Sequence, residues 1–288
     1  MASSRPSSMA AKVSIVIPSK DNPAYLSNCV SSIARTVSAD ECEIVIVDSG
    51  SRSAEARDVN QVLQRRFGAK IITLDQDGDF NFPELVNAGA SAAAGEWLLL
   101  LNDDTELLDG SWLTELVGTG RSREDVVGAL LCYSDLTVQH AGIVPDPDHL
   151  TVHIGRGDPV AEWISDAPRS VWATTGAAML VPRPLYEQLD GFDEAFAVSY
   201  NDIDFCRRAA SMGATILVES RSFAFHFESK SRGLDAQDPI KTERHLAESV
   251  RFVERWGSDL DAAGVDGAAA LARLRSVHEL RSGTLGRL

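Results

Sequence analysis

The sequence predicts an α/β fold in which a mostly parallel central sheet is flanked by helices and followed by a C-terminal helical tail. Short β-branched runs alternate with segments whose apolar residues recur at helical spacing, a pattern typical of parallel strands joined by crossover helices. Residues 97–101 are wholly apolar and predict a central strand that is buried on both faces. After residue 233 only helical patterns remain.

Local signals predict the individual elements. Short apolar or β-branched runs predict strands at 13–17, 43–47, 71–74, 97–101, 126–133, 215–219 and 223–227. Apolar spacing, N-caps and terminal glycines predict helices from Asn22, at 53–67, at 83–94, from about 111, and at 201–212, 241–256 and 267–281. The helix at 83–94 is rich in alanine, so it can lie close to the sheet. The stretch 134–168 is rich in Pro, Gly, Asp and His and predicts a long functional loop.

These elements predict three regions: a disordered lead at 1–12, a sheet domain at 13–233 and a helical extension at 234–288. The Ser-rich lead lacks the apolar core of a signal peptide, and no apolar run is long enough to span a membrane. The four cysteines lack metal-site spacing, which indicates buried free thiols in a reducing compartment. We therefore expect a cytoplasmic protein.

The formal net charge of −15 argues against a nucleic-acid partner and against a basic membrane-binding face. It is compatible with a nucleotide ligand, because a bound metal offsets the charges of carboxylates and phosphates locally.

The most informative polar cluster is Asn102-Asp103-Asp104, which directly follows the apolar strand at 97–101. Ligands of open α/β sheets bind outside the carboxyl ends of the strands. Carboxylate oxygens suit Mg²⁺ or Mn²⁺, which commonly join one or two carboxylates to substrate phosphates. The alternative is an ordinary polar turn, since Asn and Asp are common turn residues.

Other polar residues close strands at the same predicted edge. Asp48 ends the second strand, where its carboxylate could bind a nucleobase or ribose, and Pro18-Ser19 ends the first. For Asp48 a strand-ending turn is the alternative.

Two acids, Asp202 and Asp204, fall in the first turn of the helix predicted at 201–212. Acids at this place stabilise the helix dipole, which is a purely structural explanation. Alternatively, Asp202 is a general base that takes a proton from an acceptor hydroxyl. His226 alternates with phenylalanines and could complete the coordination of a metal held by Asp104, although a lone strand histidine is usually structural. The segment that follows contains Ser231 and Arg232, which could close over a diphosphate.

Taken in order, these motifs resemble the family 2 glycosyltransferases, which have the GT-A fold, from residue 13 to about 233. The segments that carry the resemblance are Val-Ser-Ile-Val-Ile-Pro-Ser, Val-Asp-Ser-Gly-Ser, Leu-Asn-Asp-Asp, Thr175-Gly176-Ala177-Ala178, Gly191-Phe192-Asp193-Glu194 and Asn201-Asp202-Ile203-Asp204. The segment that contains Asn81 resembles a subgroup that builds bacterial surface polysaccharides, including rhamnosyltransferase-like enzymes.

The resemblance implies an inverting enzyme that uses Mn²⁺ or Mg²⁺ and a nucleotide-diphosphate sugar. The acceptor would be a glycan or a lipid-linked glycan, and the latter is compatible with peripheral association at the inner face of the membrane. Asp48 would bind the base, Asp103 the ribose or donor sugar, and Asp104 and His226 the metal, with Asp202 as general base. Further donor contacts would come from Pro18, Ser19, Asn81, Asn102, Ser231 and Arg232.

Two departures from the family pattern concern the acids. Asn102 replaces the first aspartate of the metal motif, and Asn201 replaces a glutamate before Asp202, which must then act as the base alone.

Two alternatives belong to other classes of protein. A nucleotidyltransferase should carry a Gly-rich basic loop after the first strand, where this chain has Ser-Lys-Asp-Asn-Pro. A non-catalytic module that binds a glycan or nucleotide would be expected to lose the base, whereas Asp202 and Asp104 are both present.

Overall fold

The computed structural model describes residues 13–75, 80–120, 124–227 and 239–285, so the predicted lead at 1–12 lies outside the described residues. The strands are β1 Val13–Ser19, β2 Cys42–Asp48, β3 Lys70–Thr73, β4 Trp97–Leu101, β5 Thr105–Leu107, β6 Val126–Cys132, β7 Val138–His140, β8 Ile143–Asp146, β9 Leu150–His153, β10 Arg169–Ser170, β11 Ala178–Pro182 and β12 Ile216–His226. The helices are α1 Pro23–Thr36, α2 Ala54–Phe67, α3 Phe82–Ala92, α4 Trp112–Thr119, α5 Arg183–Gln188, α6 Asn201–Ser211, α7 Pro239–Ala262 and α8 Gly267–Leu285.

Within the described residues, the central sheet has ten strands, and its main path runs β10-β12-β6-β11-β4-β1-β2-β3. The pairings β1–β2, β1–β4, β2–β3 and β6–β12 are parallel, whereas β11 lies antiparallel between β4 and β6. Consequently six strands point in one direction, and their carboxyl ends meet at one edge. The predicted α/β class with a mostly parallel sheet is confirmed.

Two predictions about strands differ from the structure. The strands predicted at 215–219 and 223–227 form one strand, β12, whose register with β6 shifts between Glu219 and Phe223. This register shift interrupts the alternation of apolar and polar residues along β12, so the sequence of the single strand resembles two short strands. The stretch 134–168 is not a plain loop, because it contains β7 and the antiparallel hairpin β8–β9.

The C-terminal helices share the main hydrophobic core with the sheet. Phe252, Val253 and Leu260 of α7 are buried in the same cluster as Leu98 and Leu100 of β4. The helical tail therefore packs on the sheet domain. None of the described helices is both long enough and apolar enough to cross a bilayer.

Helix α3 lies against the sheet at Gly89, as its small residues predict. A Cβ added at Gly89 would lie 2.3 Å from Val16 Cγ1 and 2.8 Å from Val47 Cγ2. We expect Gly89→Ala to lower the free energy of unfolding by about 1–2 kcal/mol, because overpacking outweighs the better helix propensity of alanine. Urea denaturation would measure the change.

Gly118 of α4 is the matched control, since a Cβ added there would meet nothing within 4 Å. Gly118→Ala should leave the stability unchanged or raise it by up to about 1 kcal/mol. A Gly89→Ala protein as stable as the wild type would show that the helix–sheet contact tolerates a methyl group.

Candidate active site

A cavity of ≈ 980 Å³ lies at the carboxyl ends of the parallel strands. Ser19 ends β1, Asn102 to Asp104 follow β4, and His226 ends β12, so the strand directions bring all of them to this edge. Asp202, from the first turn of α6, lines the same cavity. The structure thus brings together residues that are up to about 200 positions apart in the chain. This is the edge at which open α/β sheets bind their ligands.

Asp103 is held on the inner wall of the cavity by two hydrogen bonds. Ser19 Oγ donates to Asp103 Oδ2 at 2.7 Å, and Asn22 Nδ2 donates to Asp103 Oδ1 at 3.2 Å. Burial raises the pKa of Asp103 to about 7, with a further contribution from Asp104, while the bonds from Ser19 and Asn22 oppose the rise. Without a ligand, this carboxyl therefore changes its charge near neutral pH.

This pKa shift predicts how Asp103 affects stability. The unfolded chain releases the Asp103 proton near pH 3.8, whereas the folded protein retains it up to about 7. Folding therefore takes up a proton in this interval, and the contribution of Asp103 to stability is lost as pH rises through it. Asp103→Asn removes this titration, so its stability relative to the wild type should increase from about pH 4 to about pH 8.

The measurement is urea denaturation of both proteins in a chelator at several pH values. Asp58→Asn provides a control at an exposed acid of α2 outside the cavity. A stability difference that stays constant across this pH range would contradict the raised pKa.

Asp104 and His226 form a pair of potential metal ligands. Asp104 Oδ1 lies 3.2 Å from His226 Nε2, and both side chains are largely buried. Asn102 Nδ2 also lies 3.2 Å from Nε2, while Gln139 Oε1 lies 2.7 Å from Nδ1. Because an amide oxygen only accepts, Gln139 requires a proton on Nδ1, so Nε2, which faces the Asp104 carboxylate, is the ring nitrogen placed to bind a metal.

The described part of the chain contains no group of three or more His, Cys, Asp or Glu side chains arranged for a metal ion. Two protein ligands nevertheless suit Mg²⁺ or Mn²⁺, which take their remaining ligands from phosphates and water. The donor set of Asp104 and His226 therefore fits a divalent cation that binds together with a diphosphate.

Asp202 is fixed by the segment between β10 and β11. Its Oδ2 accepts a hydrogen bond from Gly176 N at 3.1 Å, and its Oδ1 accepts one from Ile203 N at 2.8 Å. These bonds leave the carboxylate at the cavity wall, two residues after Tyr200. Two backbone donors therefore fix the orientation of this carboxylate at the cavity wall.

Asp204 has a different role, although it is only two residues further along α6. It is fully buried, and its carboxylate binds Arg208 Nε at 2.8 Å, Arg255 Nη1 at 2.8 Å and Trp256 Nε1 at 3.0 Å. Arg255 and Trp256 belong to α7, so Asp204 joins α6 to the C-terminal helices. Asp204 therefore has a structural role that the helix dipole did not predict, because its partners lie mainly on α7.

Two predicted donor contacts do not line the cavity. Asp48 accepts hydrogen bonds from Ser51 N at 2.9 Å and Asn60 Nδ2 at 3.0 Å, which fix the turn after β2. Asn81 caps α3 by accepting from Glu84 N at 3.1 Å, and its Nδ2 donates to a backbone carbonyl at 3.0 Å. In this structure the Asp48 side chain therefore fixes the turn after β2, whereas the Asn81 side chain caps α3 and joins it to Glu194. The predicted contacts at Ser231 and Arg232 lie outside the described residues.

Residues from two further segments also line the cavity. One group comes from the stretch after β6 and comprises Gln139, His140, His153 and Arg156; the other comes from α7 and comprises Lys241, Thr242, Arg244 and His245. In the stretch 134–168 the sequence offers His140 and His153 as weak candidates for substrate contact, but it gives no signal for Gln139 or Arg156. The residues of α7 gave no signal, because in sequence they are merely the polar positions of an amphipathic helix.

His140 joins the first group to the segment that holds Asp202. It is fully buried, Thr175 N donates to its Nε2 at 3.4 Å, and its Nδ1 lies 3.1 Å from His153 Nδ1. Burial holds the pKa of His140 well below its usual range, and nearby His153 and His226 add to the effect. His140 is therefore a neutral structural link at neutral pH.

Comparison with known proteins adds the family. Residues 14–140 match the family model described as "Glycosyl transferase family 2". The chain carries a family 2 glycosyltransferase domain. The O-antigen biosynthesis protein RfbC of Myxococcus xanthus is 31% identical over 239 residues, which cover 78% of this chain. The chain spans only 18% of the length of RfbC.

Solved structures show the fold of this glycosyltransferase domain. GalNAc-T7 with UDP, GalNAc and Mn²⁺ has a TM-score of 0.64 at 15% identity, covering 75% of this chain and 44% of that chain. A mannosyltransferase from Pyrobaculum calidifontis, in complex with GDP-Man and Mn²⁺, has a TM-score of 0.61 at 17% identity, covering 95% of this chain and 77% of that chain. The predicted family and the GT-A fold are confirmed.

Proposed function

We propose that this glycosyltransferase is an inverting, metal-dependent enzyme that moves a sugar from a nucleotide-diphosphate sugar to a hydroxyl of a glycan acceptor. The observation that carries the proposal is the meeting of Asp103, Asp104, His226 and Asp202 around one cavity at the carboxyl edge of the sheet. The likeness to an O-antigen biosynthesis protein supports a role in the synthesis of bacterial surface polysaccharide.

The donor side of the cavity is the β1–β4–β12 edge. Asp104 and His226 would hold the cation, which, when bound, would neutralise charge on the departing nucleoside diphosphate. Asp103 would accept hydrogen bonds from hydroxyls of the donor, since Ser19 and Asn22 fix its orientation. The Mn²⁺ complexes of the two structural neighbours, with UDP or GDP-Man, support a donor of this class.

The acceptor side is the first turn of α6. Asp202 would accept the proton of the attacking hydroxyl, so that the new C–O bond forms as the bond to the diphosphate breaks. A single displacement of this kind inverts the anomeric carbon and requires no covalent nucleophile. Gly176 N holds one oxygen of Asp202 in place, which keeps the base oriented between donor and acceptor.

A screen of nucleotide sugars tests the proposal. Each donor is added with Mn²⁺, with Mg²⁺ or with a chelator, and both thermal stabilisation and release of the nucleoside diphosphate are measured. We expect at least one donor to raise Tm and to be hydrolysed only when the metal is present. Binding that persists unchanged in chelator would contradict metal dependence, and release of pyrophosphate from nucleoside triphosphates would favour a nucleotidyltransferase.

A further inference from the structure

The segment that leads into α6 has an unusual backbone. Tyr200, the residue before α6, has φ 60 and ψ 2, in the left-handed region that residues other than glycine rarely adopt. Such a conformation is strained for a residue with a side chain and persists only when surrounding contacts hold it. Because Asn201 and Asp202 follow directly, this bend sets where the proposed base points.

Glu248 of α7 holds the backbone just before the bend. Its carboxylate accepts hydrogen bonds from Ser199 N at 2.6 Å and from Val198 N at 3.3 Å. The residue is only 3% exposed, so these bonds are largely shielded from water. Hydrogen bonds that two successive backbone N–H groups donate to one carboxylate fix a loop more firmly than bonds to a neutral acceptor do.

The same face of α7 holds the side chains of the bend. The Tyr200 ring stacks on Phe252 with centroids 4.4 Å apart and faces His245 at 5.8 Å. Ser249 Oγ lies 3.2 Å from the Tyr200 hydroxyl, and Ser199 Oγ lies 2.8 Å from His245 Nδ1.

These contacts, together with that of Glu248, come from residues 245, 248, 249 and 252, which are spaced as one face of a helix. One helix, α7, therefore contacts three successive residues, 198–200.

A second anchor joins the two helices beyond the bend. Arg255 and Trp256 continue this side of α7 and bind Asp204 of α6, whose carboxylate is fully buried. Asp202 lies between the two anchors in sequence. A displacement of α7 would therefore be transmitted to the first turn of α6.

We propose that α7 is a positioning element of the transfer reaction, in which Glu248 fixes the backbone of residues 198–200 and so aims Asp202 at the acceptor hydroxyl. The proposal rests on the proposed function, in which Asp202 is the general base. Glu248 itself does not touch substrate in this scheme; it acts through the bend and through Tyr200. The helical extension thereby contributes to catalysis as well as to stability.

Glu248→Ala tests this role. We expect kcat for sugar transfer to fall by about 10- to 100-fold while the KM for the donor stays unchanged, because the base is misplaced and the donor side is untouched. Glu248→Gln keeps one acceptor oxygen for Ser199 N and should restore most of the activity. Leu260→Ala is the matched control: it opens a cavity in the buried face of α7 far along the helix from Glu248 and should lower stability but leave kcat unchanged below its Tm.

Hydrogen exchange separates the failure of this proposal from the failure of the proposed function. Peptides covering 197–206 should exchange faster in Glu248→Ala than in the wild type or in Leu260→Ala, whether or not sugar is transferred. Unchanged exchange, or a kcat equal to that of the wild type in folded Glu248→Ala, would overturn the positioning role. A wild-type chain that neither binds nor hydrolyses any nucleotide sugar would instead overturn the proposed function.

Discussion

Asp202→Asn should lower kcat for sugar transfer by about 10²- to 10⁴-fold and leave the binding of the donor intact. The amide keeps the size of the side chain and one oxygen that can accept from Gly176 N, so the first turn of α6 should persist although the bond from Ile203 N is lost. It cannot take up the proton of the acceptor hydroxyl, which is the step that Asp202 would perform. Steady-state kinetics with saturating donor, together with calorimetric titration of the donor, would measure both effects.

The control for this substitution is Asp190→Asn. Asp190 is exposed, lies outside the cavity and has a left-handed φ of 57, which asparagine tolerates as well as aspartate does. Its kcat should equal that of the wild type. Transfer by Asp202→Asn at the wild-type rate would show that another group takes the proton.

Asp104→Ala should abolish the effect of the metal on donor binding. Mutation of residues that support metal ligands weakens metal affinity by up to about 100-fold. The loss of a ligand itself is therefore expected to weaken metal-dependent donor binding by at least about 100-fold. His226 would remain as a single ligand, held by Gln139 but without the neighbouring carboxylate. Titration of the donor with and without Mn²⁺ would give the ratio of the two affinities.

Glu106→Ala is the control, because it removes a carboxylate two residues away that forms a surface ion pair with Arg35 and does not line the cavity. It should bind donor and metal as the wild type does. If Asp104→Ala still bound the donor more tightly with Mn²⁺, to the same extent as the wild type, the cation would have to lie elsewhere.

The two substitutions separate the donor and acceptor sides of the cavity. Asp104 follows β4 and should affect binding, whereas Asp202 begins α6 and should affect the rate of transfer. If each variant impaired both steps equally, the two sides would not be independent, and the division of the cavity proposed here would be wrong.

The sequence by itself determined the parallel order of the first strands and the position of the polar residues at their ends. Strand and helix periods are local properties of the chain, and parallel strands place all their carboxyl ends at one edge. The meeting of Asp103, Asp104 and His226 could therefore be predicted before the structure was known. The same reasoning identified Asp202 as a candidate, because it opens a helix next to this edge.

Only the tertiary structure decided which groups hold these side chains. Gln139 orients His226 from 87 positions away, and Glu248 binds Ser199 N across 49 positions. The different surroundings of Asp202 and Asp204 also depend on α7, because Arg255 and Trp256 bind the carboxylate of Asp204. Such contacts arise from the packing of distant elements, and no local period or spacing encodes them.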